Sequence, residues 1–420
     1  MRPYHVAIVG SGPSGFFAAA SLLKVGHEDR DFRVDMLEML PTPWGLVRSG
    51  VAPDHPKIKS ISAQFEKISA DPRFRFFGNI AVGEHVQAAE LAERYDAVIY
   101  AIGAQADREL GIPGEDLPGS IAAVDFVGWY NAHPHFGEMA PDLSAERAVV
   151  IGNGNVALDV ARILISDPEI LAQAPFTTME LRELGHMEQM AEVDVVVESA
   201  DLDRITDEEL EAADKSVRQN IKVLREYAAL EPPGAQRRVV FRFATSPIEI
   251  RGDGRVESIV LGRNELVDEG GRVVAKDTGE REELPVQLVV RAVGYRGVPV
   301  DGLPFDERSG TIPHADGRIE GHEHEYVVGW IKRGPSGVIG SNKKDSADTV
   351  ETLLSDLGEP GFAEGHADEL AQWLLSRQPK LVTDDHWQRI DSHERAAGDA
   401  QHRPRVKLSS VEEMLGIAHG

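Results

Sequence analysis

The sequence predicts an α/β protein built from two three-layer units, and three observations carry that expectation. A glycine-rich turn, Gly10-Ser11-Gly12-Pro13-Ser14-Gly15, follows the apolar run Val6-Ala7-Ile8-Val9 and precedes a helical pattern rich in Ala and Leu. A second turn, Gly152-Asn153-Gly154-Asn155-Val156-Ala157, follows Ala148-Val149-Val150-Ile151 in the same way. Each is answered far downstream by an apolar strand ending in Ala-x-Gly, at Ala101-Ile102-Gly103 and at Ala292-Val293-Gly294. In such a fingerprint the first Gly permits the tight turn and the second leaves room for a pyrophosphate. The third position must be small so that helix and strand pack closely. The phosphates then rest on N–H groups at the positive end of the helix. Two such motifs in one chain imply two dinucleotide sites. The predicted fold class is therefore α/β, with two three-layer dinucleotide-binding (Rossmann-like) domains of the two-dinucleotide-fold flavoprotein kind, the layout of a protein that takes hydride from a nicotinamide.

An acidic residue about 20 positions on, at the end of the next strand, is the further test of such a motif. The first motif passes it: Phe32-Arg33-Val34-Asp35-Met36-Leu37 is a predicted strand ending in Glu38, a partner for a ribose hydroxyl. The second does not. Its helix is expected from Asn155 to about Ile165, where Ser166-Asp167-Pro168 interrupts it. The chain then continues Leu171-Ala172-Gln173-Ala174-Pro175-Phe176-Thr177-Thr178-Met179-Glu180, without a β-branched run or a pair of arginines. A site for NADP would want an Arg here for the 2′-phosphate.

The 420 residues suffice for two or three domains. A formal charge of −26 argues against nucleic acid, whose phosphates need a basic surface. The chain has no cysteine, which excludes disulfides, thiolate zinc sites, protein-ligated iron–sulfur clusters and a redox-active disulfide as the next electron carrier. Met1-Arg2-Pro3-Tyr4-His5 leads straight into a strand with no signal peptide, and no apolar stretch approaches the roughly 18 residues of a membrane span, so a cytoplasmic location without membrane insertion is expected.

Along the chain, Lys57 to Ala70 is expected as a helix, with short strands at Phe74–Phe77 and Ala81–Val82 and a buried parallel strand from Tyr95 to Ala104. Helical patterns occupy 200–230, 344–356 and 366–377. Short strands are expected between Arg238 and Leu261, and the polar tail ends in a short helix at 411–415.

The run Leu40-Pro41-Thr42-Pro43-Trp44-Gly45-Leu46-Val47-Arg48-Ser49-Gly50-Val51-Ala52-Pro53-Asp54-His55-Pro56 resembles the adrenodoxin-reductase-type ferredoxin–NADP(+) reductases. It is most similar to their mycobacterial and actinobacterial members. The stretch Gly329-Trp330-Ile331-Lys332-Arg333-Gly334-Pro335-Ser336-Gly337-Val338-Ile339-Gly340 resembles them equally, and the likeness covers nearly the whole chain. It implies an FAD enzyme that passes hydride from NADPH to FAD and then single electrons to a ferredoxin. The implied FAD site takes in Gly10, Gly12, Ser14, Gly15, Glu38, Leu46, Val82, Trp330, Gly337, Val338 and Ile339. The implied NADP site takes in Arg108, Asn153, Gly154, Asn155, Val156, Glu180 and again Gly337. His55 and Glu183 match residues with catalytic or positioning roles near the nicotinamide, and no metal is implied. The implied domains are 1–106 with 295–420 for FAD and 107–294 for NADP. The chain departs from the pattern at Ala174-Pro175, where roughly thirty residues and two arginines are absent, so the NADP domain is shortened near 174–175.

His55, in a Pro-rich loop between Pro53 and Pro56, fits a role in orienting nicotinamide and supporting charge at the flavin edge. The glycines after Trp330 let N–H groups reach flavin carbonyls, where reduction builds negative charge. Lys222, Arg225, Arg237, Arg238, Arg242, Arg291 and Arg296 form a candidate docking patch for an acidic ferredoxin. Two other readings stay open: an NADH-preferring diaphorase or quinone reductase, and a non-catalytic FAD-binding remnant.

Overall fold

The computed structural model describes residues 2–25, 30–53, 55, 59–165, 193–203, 205–230, 234–270, 273–337, 339–363 and 365–420. In chain order its strands are β1 (Tyr4–Val9), β2 (Phe32–Leu37), β3 (Phe74–Phe77), β4 (Ala97–Tyr100), β5 (Ala106–Asp107), β6 (Ser120–Ala122), β7 (Ala148–Ile151), β8 (Val193–Val197) and β9 (Arg237–Phe241). They continue as β10 (Thr245–Arg251), β11 (Ser258–Asp268), β12 (Val273–Pro285), β13 (Leu288–Arg291), β14 (Tyr295–Arg296), β15 (His314–Ala315), β16 (Arg318–Ile319) and β17 (Glu325–Val327). The chain divides into two compact units. Unit 1 holds Met1–Arg108, Val127–Met139 and Gly294–Gly420; unit 2 holds Glu109–Phe126 and Ala140–Val293.

Unit 1 is a seven-stranded sheet in the order β15-β16-β17-β4-β1-β2-β3. The five strands from β17 to β3 are parallel, and β15 and β16 add an antiparallel edge. All six residues of β1 are buried, as a strand covered on both faces requires. On one face Phe16 and Leu22 of the helix Pro13–Val25, Leu353 of the helix Ile339–Asp356 and Trp387 and Ile390 of the helix Asp384–Asp399 close over Val6, Ile8 and Met36. On the other, Leu91 of the helix Ala88–Arg94 and Leu370 and Leu374 of the helix His366–Arg377 cover Ala7, Val98 and Tyr100. The segment Val127–Met139 joins this unit. Lys407 Nζ donates to the Asn131 carbonyl at 2.9 Å, and a Cβ on Gly137 would lie 2.5 Å from the Ser409 carbonyl oxygen.

Unit 2 has a parallel sheet β6-β13-β7, a parallel pair β8-β9 and an antiparallel sheet β10-β11-β12. The helix Asn155–Ile165 starts on the second glycine turn, and its Leu158 and Ile165 pack against Val195 and Val197 of β8. The structure departs from sequence expectation in several elements. The helix expected over Lys57–Ala70 is regular over Ser62–Ser69, its residues 57–58 lying outside the described residues, and Val82 makes an isolated bridge with Val86 rather than a strand. The long β11–β12 hairpin was not expected, nor was the helix Asp384–Asp399 in the polar tail.

Candidate functional site

The first glycine turn is built by close approach. A Cβ on Gly10, at φ +104°, would lie 2.5 Å from the Ala101 carbonyl oxygen, and one on Gly15 would lie 2.2 Å from the Gly10 carbonyl oxygen. Gly12 faces open space, so the cleared volume lies over the middle of the turn, where a pyrophosphate would sit. Sequence fixes this local form because only glycine tolerates both the positive φ and the contact.

Glu38, the residue after β2, reaches back to the turn. Its carboxylate accepts from the Ser11 hydroxyl at 2.5 Å, the Ser11 N–H at 3.0 Å and the Leu40 N–H at 3.0 Å. Burial pushes its carboxyl above the usual range, against these hydrogen bonds, which hold the charged form. The Glu38 carbonyl accepts from Ile80 N–H at 2.9 Å, which brings Val82, two residues on, to the same sheet end.

Two further segments close on the turn. Trp44 N–H donates to the Ser11 carbonyl at 3.1 Å, and a Cβ on Gly45 would lie 3.0 Å from the Gly12 Cα, so Leu46, 38% exposed, begins its helical turn over Gly12. From the C-terminal part, a Cβ on Gly329 would lie 2.3 Å from the Ser14 hydroxyl, and Ser346 Oγ donates to the Ser14 carbonyl at 2.9 Å. Asp345 accepts the Gly329 N–H at 2.6 Å and pairs with Lys332 at 3.0 Å. Trp330 follows, its ring stacked on Tyr295 at 5.7 Å. Its indole N–H is buried with no hydrogen-bond partner among the described residues, a donor left for a ligand. Gly337 has φ +82° just before the helix that begins at Ile339. Val338 and the Ile339 side chain lie outside the described residues. Gly10, Gly12, Ser14, Gly15, Glu38, Leu46, Val82 and Trp330 thus gather at one end of the unit 1 sheet. The cleared glycine turn, the acidic ribose partner and the orphan indole donor fit an FAD.

His55 is buried in its loop, held by its N–H to the Ala52 carbonyl and by the Lys59 N–H to its own carbonyl, each at 3.1 Å. In unit 2 the second turn repeats the first: a Cβ on Gly152, at φ +150°, would lie 2.2 Å from the Ala292 carbonyl oxygen, while Gly154 faces open space. Asn153, Gly154 and Asn155 are exposed and Val156 is half-buried. Arg108 is exposed, in unit 1, with its N–H on the Gly294 carbonyl at 3.2 Å. Glu180 and Glu183 lie outside the described residues.

Lys222 and Arg238 of the candidate docking patch are exposed, and the other five residues have partners. Arg291 is turned inward, paired with Glu115 at 3.3 Å and donating to Ser120 Oγ at 2.9 Å. Arg296 belongs to unit 1 and pairs with Glu307, while Arg242 pairs with Glu282. Arg237 and Arg225 donate to the carbonyls of Ile165 and Ile205. Sequence reading missed Ser11, Gly45 and Asp345, whose roles are contacts to residues remote in the chain. Only Gly45, beside Trp44 in a turn-rich run, left a local signal.

Comparison with known proteins agrees with this geometry. Residues 4–336 match the family model described as pyridine nucleotide-disulphide oxidoreductase. The NADPH-ferredoxin reductase FprA of Mycobacterium tuberculosis is 66% identical over 459 residues, with all of both chains covered. The mitochondrial NADPH:adrenodoxin oxidoreductase of Salvelinus fontinalis is 38% identical, over 98% of this chain and 91% of that protein. The solved structure of Mycobacterium tuberculosis FprA in complex with NADPH superposes with a TM-score of 0.95 at 65% identity, covering 100% of each chain.

Proposed function

The chain belongs to the pyridine nucleotide-disulphide oxidoreductase family, among the adrenodoxin-reductase-type ferredoxin reductases, and on that footing we propose that it is an NADPH-ferredoxin reductase carrying FAD. The observation that carries the reading is the duplicated glycine turn, each copy cleared over its second glycine and pressed against the strand that answers it. Unit 1 is assigned to FAD and unit 2 to the nicotinamide nucleotide. Bound FAD supplies an acceptor that takes a hydride as an electron pair and releases the electrons singly.

The chain's own residues do the rest. Glu38 and Ser11 fix the adenosine ribose, and the N–H groups at the start of the helix Pro13–Val25 take the pyrophosphate. Trp330, Gly337, Val338 and Ile339 would hold the isoalloxazine, with the Trp330 indole N–H available as a donor. The family likeness assigns His55 and Glu183 to the nicotinamide, and Arg108, Asn153, Gly154, Asn155, Val156 and Glu180 to the rest of the nucleotide. With no cysteine in the chain, no dithiol is available to relay electrons from a bound flavin to an iron–sulfur protein. Among the described residues no helix is long and apolar enough to cross a membrane, and a cytoplasmic setting fits a ferredoxin partner.

An anaerobic absorbance titration tests this. NADPH is expected to bleach the flavin of the purified holoprotein, and added ferredoxin to restore it with two ferredoxins reduced per flavin. No bleaching, or bleaching that ferredoxin does not reverse, overturns the assignment.

A further inference from the structure

Two consecutive residues of the helix Ile339–Asp356 grip the two sides of the unit 1 site. Ser346, fully buried, donates from Oγ to the Ser14 carbonyl at 2.9 Å. Asp345, one residue earlier, accepts the Gly329 N–H at 2.6 Å. Gly329 lies just past β17 with φ +79°, so close to Ser14 that a Cβ would come within 2.3 Å of the hydroxyl. The helical turn Trp330–Arg333, which Gly329 caps, therefore has one seat, set from one side by Ser14 and from the other by Asp345.

The same carboxylate gathers the charges of that turn. Lys332 Nζ pairs with Oδ1 of Asp345 at 3.0 Å and donates to Thr349 Oγ1 at 2.8 Å, while Arg333 Nε stands 4.0 Å from Oδ2. A carboxylate only accepts, and its two oxygens here are divided between a backbone N–H and an ammonium. The Lys332 and Asp345 side chains are each 11% exposed, so solvent screens them weakly. Two cations against one anion leave the turn net positive. This charge lies beside Trp330, whose indole N–H is an open donor. A flavin bound there gains negative charge on reduction, so removing an anion nearby favours the reduced form and removing a cation disfavours it.

Resting on the assignment of unit 1 to FAD, we infer that Asp345 is a positioning residue of the flavin site. It holds the Gly329–Trp330 turn in its seat through the Gly329 N–H, and it tempers the positive charge of Lys332 and Arg333, which sets the reduction potential of the bound flavin. Lys332 shares the second role and not the first, because its ammonium contacts the side chains of Asp345 and Thr349.

Asp345→Asn and Lys332→Met separate the two roles. Midpoint potentials are read by dye equilibration with FAD in excess, FAD affinity by flavin fluorescence on dilution, and folding by thermal unfolding of each apoprotein. The Asn side chain has one acceptor oxygen for two donors, so Asp345→Asn is expected to weaken FAD binding by about threefold to tenfold and to raise the potential. Lys332→Met is expected to keep FAD affinity within about twofold of wild type and to lower the potential. Each potential shift is expected to be about threefold to tenfold in the two-electron reduction equilibrium, ~15–30 mV. A merely structural role would move both variants the same way. Potentials that move together or stay at the wild-type value overturn the inference, as does equal loss of FAD affinity in the two variants. Should Asp345→Asn fail to fold, Lys332→Met carries the test: a lowered potential with FAD retained supports the inference, and any other result overturns it. The two proposals fail separately: a wild-type protein that takes up no FAD sinks the assignment of unit 1, and a wild-type flavoprotein whose variants behave alike sinks this inference alone.

Discussion

Arg48 and Glu394 form a two-pronged ion pair sealed from water, their side chains 4% and 0% exposed, with Nη1 to Oε2 at 2.9 Å. The pair ties the turn that begins at Leu46 to the C-terminal helix Asp384–Asp399. Glu394 also accepts from Arg405 at 3.1 Å and from the Leu408 N–H at 2.9 Å. Trp44 and Trp387 meet edge to face at 5.1 Å, with the Arg405 guanidinium over Trp44 and that of Arg48 over Trp387. The loop that covers Gly12 is thus held from the far end of the chain.

Removing one partner strands the other charge in the interior. Glu394→Gln is expected to cost about 3–5 kcal/mol in urea unfolding at neutral pH. Burial acts to raise the Glu394 carboxyl, but Arg48 overrides it and holds the group below its ordinary 4.5. In acid the unfolded chain therefore binds this proton first. The pair's contribution is present above pH 4.5 and is lost as pH falls further, so the wild-type and Glu394→Gln unfolding curves should converge in that range. Curves that stay parallel into acid would show that the carboxylate is not the stabilising group.

His133 is pushed down to about 4 by burial, with His135, Arg48 and Lys407 adding repulsion. Between that value and the ordinary 6.5 the unfolded chain takes up a proton that the folded chain refuses, so stability rises with pH across the window. His133→Gln is expected to flatten this rise by up to one proton's worth, read from chemical unfolding at pH 4.5, 5.5 and 6.5. An unchanged slope would sink the assignment.

Gly12 and Gly15 should fail differently. Gly15→Ala drives a methyl to 2.2 Å from the Gly10 carbonyl oxygen and is expected to unfold unit 1 or yield insoluble protein. Gly12→Ala meets nothing within 4 Å, so the apoprotein should melt as wild type does. Its flavin-to-protein absorbance ratio should nevertheless fall, because the ligand occupies that space. Retained flavin in Gly12→Ala would place the pyrophosphate elsewhere.

Trp330→Phe removes an indole donor that has no partner among the described residues. An unsatisfied buried donor costs about 1–3 kcal/mol, so the apoprotein should be no less stable than wild type. FAD affinity should fall by about fivefold to tenfold for one lost hydrogen bond, read by flavin fluorescence on dilution. Lower apoprotein stability with unchanged FAD affinity would make Trp330 plain core.

Both fingerprints were legible because their information is local. Glycine spacing and a flanking apolar run, and for the first an acid at the next strand end, are written within forty residues, and the physics that demands them acts over the same span. The helix Asp384–Asp399 was not legible. Its buried stripe is Trp387, Ile390, Asp391, Glu394 and Gly398, and two of those five are carboxylates that read as surface until Arg48, Arg395 and Arg405 are placed against them. The basic residues misled in the opposite sense. Arg291 looks like a surface charge in sequence and is turned inward by Glu115.

The chain by itself determined the class of fold, the two nucleotide turns and the lack of a cysteine carrier, since each depends on residue type at short range. Only the tertiary structure decided that Ser11, Trp44, Gly45, Gly329 and Trp330 close on one turn, and that Arg48 finds Glu394. Those outcomes depend on pairing between segments tens to hundreds of residues apart, and burial and charge pairing select such partners only after the sheet has fixed where each strand ends.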